Sequence, residues 1–124
     1  IMAGTNDLGL PNSSWQTTFA HVRQLHVVCH AKGVPTVALV PPSVPRAPRG
    51  YPFENRRAGL QSLMSDWAAL APSVVLVHPS DLHLDVQAGH LWDTDKLHLS
   101  PAGSRLLGSR VAPQIAALLK GQAA

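Results

Sequence analysis

At 124 residues, 45% hydrophobic and 14% charged, the chain is long enough for one small domain with a real core and too apolar to stay disordered. The net charge of +3 is carried by scattered Arg and Lys, with no basic stripe interleaved with aromatics, which speaks against nucleic-acid binding. One cysteine, Cys29, excludes an internal disulfide, and no apolar run approaches the ~18 residues of a membrane span.

Ile1-Met2-Ala3 reads as the end of a strand already under way, so residues 1–124 are expected to be the C-terminal part of a single longer domain. Gly4-Thr5-Asn6-Asp7 follows as a Gly-led turn, and residues 8–14 read as a loop in which Ser13 or Ser14 caps a helix. In that helix Trp15, Phe19, Val22 and Cys29 recur at helical spacing, with Leu25 and Val28 on the same side, and Lys32-Gly33 ends it. Cys29 is expected to be a buried small hydrophobe. Residues 34–40 read as a short buried strand.

Residues 41–53 form a Pro-rich loop whose Arg46, Arg49, Tyr51 and Phe53 could line a pocket or simply face water. A second helix is expected over residues 54–71, with Leu60, Leu63, Met64, Trp67 and Leu70 as its apolar face and Arg56-Arg57 at a solvated start. After Pro72-Ser73, residues 74–77 read as another buried strand. A long polar loop, residues 78–99, carries Asp95-Lys96-Leu97-His98. Ser100 as cap and Pro101 at the first turn then start the last helix, which Pro113 should kink or split and which should fray from Lys120.

Alternating helices and apolar strands predict an α/β fold with a parallel sheet. Right-handed crossovers gather the strand-to-helix loops on one edge, where open α/β sheets bind ligands. The two motifs, about ninety residues apart, are thereby expected on one rim.

There, His98 suits a general base, because imidazole takes up a proton near neutral pH. Asp95, three residues earlier, suits the carboxylate that orients it, although Asp93 is also within reach by spacing. Asn6 suits a donor to a developing oxyanion, or an Asx turn. His26 and His30 lie four apart on a helix and could share a metal, but no third ligand follows at useful spacing, so no metal or other cofactor is expected.

Together the two motifs resemble those of the SGNH (GDSL-like) hydrolases. Gly4-Thr5-Asn6-Asp7 matches that family's Gly-x-Asn-Asp turn, and Asp95-Lys96-Leu97-His98 matches its Asp-x-x-His block, followed here by Leu99-Ser100-Pro101-Ala102-Gly103. The resemblance implies a three-layer α/β/α flavodoxin-like fold and hydrolysis of a small-molecule ester or thioester. His98 would be the base, Asp95 its orienter and Asn6 the oxyanion donor, with Gly4 and Asp7 holding the turn. The family's nucleophilic Ser, in a Gly-Asp-Ser block, has no counterpart among these residues, and neither does its second Gly block. By this resemblance the chain holds half of an active site and lacks the N-terminal strands of the sheet. The competing expectations are a non-catalytic binding or structural module, and a truncated fragment that folds poorly because apolar sheet edge is left open.

Overall fold

The structure is a computed structural model, and it describes residues 1–47 and 52–123. The elements run α1 (Thr5–Gly9), α2 (Trp15–His30), β1 (Thr36–Ala38), α3 (Phe53–Leu70), β2 (Val74–Leu76) and α4 (Pro101–Ala123), with 3-10 turns at Pro79–Leu82 and Gly89–Leu91. Arg49 and Tyr51 lie outside the described residues.

β1 and β2 pair in parallel, Thr36 opposite Val74 and Ala38 opposite Leu76. Met2 makes a parallel bridge to Leu39, whose N–H donates to the Ile1 carbonyl at 2.9 Å. This is a mixed helix–strand architecture around a two-stranded parallel sheet, as an α/β chain requires. The strands are shorter than residues 34–40 and 74–77 suggest. Val34, ahead of Pro35, is exposed and outside the ladder, while the Val77 N–H still reaches the Ala38 carbonyl at 3.0 Å.

The parallel pairing needs crossovers, and α2 and α3 supply them by packing on each other. Phe19 meets Trp67 edge to face at 6.1 Å, and the Trp15 ring lies where a Cβ on Gly59 would stand. Trp15, Phe19 and Val22 do face the core as their spacing predicts, but the rest of the buried face of α2 is not the one expected. Thr18, Val22 and His26 point inward, whereas Leu25 and Val28 are exposed, and Cys29 is only partly buried. His26 occupies the core position because Thr36 and Trp67 give its ring a polar and an aromatic neighbour there. α3 buries Leu60 and Met64 as expected, but Leu70 at its last residue is 87% exposed. One cluster that includes Leu8, Val22, Ala38, Val40, Leu60 and Met64 forms the core.

The segment 78–99 is only in part a polar loop: His83, Asp85 and His90 are exposed, but its apolar residues are not. Its two 3-10 turns carry Leu82, Leu84, Leu91 and Trp92 into the core, and α4 packs on both turns. Ser14 caps α2, accepting from the Thr17 N–H at 3.1 Å, and Ser100 caps α4, accepting from the Gly103 N–H at 3.1 Å. α4 runs unbroken through Pro113 and on to Ala123, so the helix is not split at Pro113 and residues 120–123 are helical; Ala124 lies outside the described residues. Pro113 removes one donor to the Ser109 carbonyl. Both residues face solvent, where water can replace that donor. Among the described residues no helix is long and apolar enough to cross a membrane.

Gly103 has a job in this packing. A Cβ there would lie 2.0 Å from the Leu91 carbonyl oxygen, which also accepts the Ser100 N–H at 3.0 Å. Backbone against backbone cannot yield as a flexible side chain does. Gly103→Ala is therefore expected to cost about 2 kcal/mol of stability, in the range of overpacked sites. An unchanged denaturation midpoint would show that the α4 start is not so constrained.

Candidate functional site

α1 stands at the carboxyl end of the Met2 segment. Gly4 precedes it with a φ of 109°, a left-handed conformation that L side chains resist, and the Leu8 N–H closes the turn on the Gly4 carbonyl at 2.9 Å. The segment, for which the sequence also allows an Asx turn, is one turn of helix, with Asn6 and Asp7 inside it and Leu8 anchored in the core. Its far end is held by Arg56. The guanidinium donates to the carbonyls of Leu8 (3.0 Å), Leu10 (2.7 Å) and Pro11 (3.0 Å). Arg56 is thus not a solvated helix start but a clamp on the carboxyl end of α1, where free carbonyls attract a cation. Sequence alone does not mark this role, because the three acceptors lie 45 to 48 residues away. Its neighbour Arg57 pairs with Glu54 at 3.0 Å.

The second motif is a small hairpin. Trp92 and Leu99 form an antiparallel bridge, and the Asp93 N–H donates to the His98 carbonyl at 2.8 Å. Lys96 at its tip takes a left-handed φ of 56°, uncommon for a residue with a Cβ. This fold-back turns Asp95 toward His98. Asp95 Oδ1 accepts the N–H groups of Leu97 and His98, both at 2.9 Å, and Oδ2 accepts from His98 Nδ1 at 2.5 Å. Those bonds, the His98 backbone N–H first, hold the carboxyl well below the usual carboxylate range. Asp93 is engaged otherwise, its Oδ1 accepting the Thr94 N–H at 2.7 Å. Of the two carboxylates in reach, the geometry selects Asp95.

With Nδ1 donating to Asp95, the His98 ring presents Nε2 as its remaining nitrogen, and the side chain is 74% exposed. The two motifs meet. His98, Leu97 and Leu99 line one cavity of about 710 Å³ with Gly4, Asn6 and Asp7. The loop after β1 joins the same rim through Pro42 and Val44, so the gathering of strand-to-helix loops at one edge is realised. A second cavity of about 530 Å³ shares Asn6 and is walled by Leu10, Val44, Phe53 and Leu97, with Arg46 on its lining. Of the loop residues expected to line a pocket or face water, Arg46 and Phe53 do line one.

Ser100, nearest in sequence to His98, is occupied as a cap and donates its hydroxyl to the His90 carbonyl at 2.6 Å. Among the described residues no serine side chain hydrogen-bonds His98. His26 and His30, four apart on α2, converge on Thr36 of β1. Both rings reach the Thr36 hydroxyl, at 2.6 and 2.8 Å, and among the described residues no group of three metal-binding side chains is found.

No family model, no curated protein and no solved structure matches this chain.

Proposed function

We propose that this chain carries the base and the oxyanion-binding half of a hydrolase that cleaves esters or thioesters by a Ser-His-Asp mechanism, on an SGNH-like, flavodoxin-type α/β/α scaffold. The observation that carries this reading is the Asp95–His98 pair opening on the same cavity as Asn6. The ionised Asp95 fixes the imidazole with its proton on Nδ1, so that Nε2 is free to take the proton of an attacking hydroxyl. As the acyl carbon becomes tetrahedral, its oxygen gains negative charge, which the Asn6 amide is suited to receive, and the imidazolium then returns the proton to the departing alkoxide or thiolate. Gly4 makes the turn into α1, the Asp7 carbonyl accepts the Leu10 N–H at its end, and Arg56 holds that end.

The nucleophilic hydroxyl is the part of the mechanism that these residues do not supply, since none of the described serines is bonded to His98. That observation favours a second reading, a binding module of the same fold without chemistry. The test is hydrolysis of a short-chain aryl ester, and of the matching thioester, by this chain alone and by a polypeptide extended upstream from Ile1. Turnover in the extended polypeptide, abolished with a serine-directed organophosphate, is the expected result. Two folded but inert polypeptides would favour the binding module.

A further inference from the structure

Beside the cavity of the Asp95–His98 pair lies the one that Arg46 lines, and Asn6 belongs to both. Leu10, Val44, Phe53 and Leu97 give it apolar walls, with Thr5 beside Asn6. A volume of about 530 Å³ suits a small molecule and not a long chain. Arg46 is tied to the motif loop through its backbone, its N–H donating to the Lys96 carbonyl at 2.9 Å. Its side chain is exposed and, among the described residues, its guanidinium has no hydrogen-bond or ion-pair partner.

Several of the charges near this cavity are spent within the protein, whereas the exposed side chains of Asp7, on the adjoining cavity, and Lys96, at the hairpin tip, have no partner among the described residues. Arg56 serves the carbonyls of Leu8, Leu10 and Pro11, and Arg57 serves Glu54. Glu54 is taken by Arg57 and by the Ser43 hydroxyl at 3.0 Å, and Asp95 is taken by His98. No carboxylate is among the described residues lining the cavity, and of those residues Arg46 alone carries a formal charge, beside a largely apolar wall. A planar cation with five donors is suited to a carboxylate, which it grips in bidentate fashion.

We propose that this recess, resting on the hydrolase reading for its link to chemistry, selects small esters that bear a second, anionic group: an apolar spacer against Leu10, Val44, Phe53 and Leu97, and a carboxylate on Arg46. Asn6, shared by both cavities, would then stand between the charged end and the reacting carbonyl. Monoesters of short dicarboxylic acids are the class that fits this pattern of one cation, apolar walls and a neighbouring base.

The test is a titration of the chain with monoethyl glutarate and, separately, with diethyl glutarate. Binding is followed by amide chemical shifts at Asn6, Ala47 and Leu97. The monoester should bind about tenfold more tightly, the advantage expected of one charge-assisted contact at a solvent-exposed arginine. Arg46→Ala should reduce that preference to within about twofold, and Arg46→Lys should keep part of it, because lysine preserves the charge but not the fork. Equal binding of the two esters, no binding of either, or an undiminished preference in Arg46→Ala would overturn the proposal. Binding and turnover are separate readouts. A charge preference without hydrolysis in any form of the protein sinks the hydrolase reading and leaves the recess standing. Hydrolysis without charge preference does the reverse.

Discussion

In a form of the protein that turns over an aryl ester, His98→Ala is expected to lower kcat by about a thousandfold or more, with KM changed little. The imidazole would act on the reacting proton and not on substrate affinity, so its loss belongs to the transition state. Asp95→Asn is the sharper test, because the geometry separates its two duties. Oδ1 holds the N–H groups of Leu97 and His98, and Oδ2 alone faces His98 Nδ1. An asparagine can keep both backbone bonds with its carbonyl oxygen. Its amide then points a donor at Nδ1, which obliges the ring to carry its proton on Nε2, the wrong nitrogen for a base. The hairpin should therefore stay folded while kcat falls by about a hundredfold or more. The loss is placed below that for His98→Ala because the pair is open to water and a fraction of rings can still adopt the working tautomer. An Asp95→Asn protein with full activity would remove Asp95 from the mechanism. A protein that loses its fold instead would assign Asp95 to the hairpin alone.

Part of this arrangement is legible from local sequence because its causes are local. Ser14 and Ser100 cap helices through bonds to residues three positions on, and the Asp95–His98 bond also spans three residues. The order of helices and parallel strands follows from apolar runs and breaks, and it places both motifs on one rim without knowledge of any contact. What escapes the sequence depends on partners far along the chain. α2 looks as if it should bury Leu25 and Val28, yet it turns His26 inward because Thr36 and Trp67 are waiting there. Arg56 looks like a solvated charge until the end of α1 arrives beneath it. Pro113 looks like a break, but a missing donor on an exposed helix face costs less than one in a core. Leu25 and Val28, together with Met2 and Val75, leave apolar surface on helix and sheet that the described residues do not cover. The expectation of a poorly folding fragment rests on surface of this kind.

The chain is expected to lose stability as pH falls from 6.5 toward 4, and His26 is the reason. Its ring is fully buried, its Nδ1 bonds the Thr36 hydroxyl at 2.6 Å, and its Nε2 has no partner among the described residues. Burial, with the charge of the Ile1 amino group and then the neighbouring His30 adding to it, pushes its pKa down to about 4. In the unfolded chain the same ring titrates near its ordinary value of about 6.5. Between those values the unfolded state binds a proton that the folded state refuses, so stability rises with pH across the window and falls as acid is added. The contribution is fully present above about pH 6.5 and is lost by about pH 4, a difference of about 3 kcal/mol if the whole shift is expressed. Thr36 has one hydroxyl proton and two imidazoles within reach, so at most one ring accepts from it. A charged His26 would add a second N–H that finds no acceptor among its packed neighbours, Trp67 included. His26→Phe keeps an aromatic ring against Trp67 and removes the titration, while His30 retains its bond to Thr36. Urea unfolding of both proteins at pH 7.5 and pH 4.5 isolates the effect from the other histidines. The unaltered chain should lose markedly more stability between the two pH values than His26→Phe does. Parallel losses in the two proteins would mean that His26 is protonated as readily in the folded state as in the unfolded one, and that the ring is not sealed by Thr36 and Trp67 as the geometry requires.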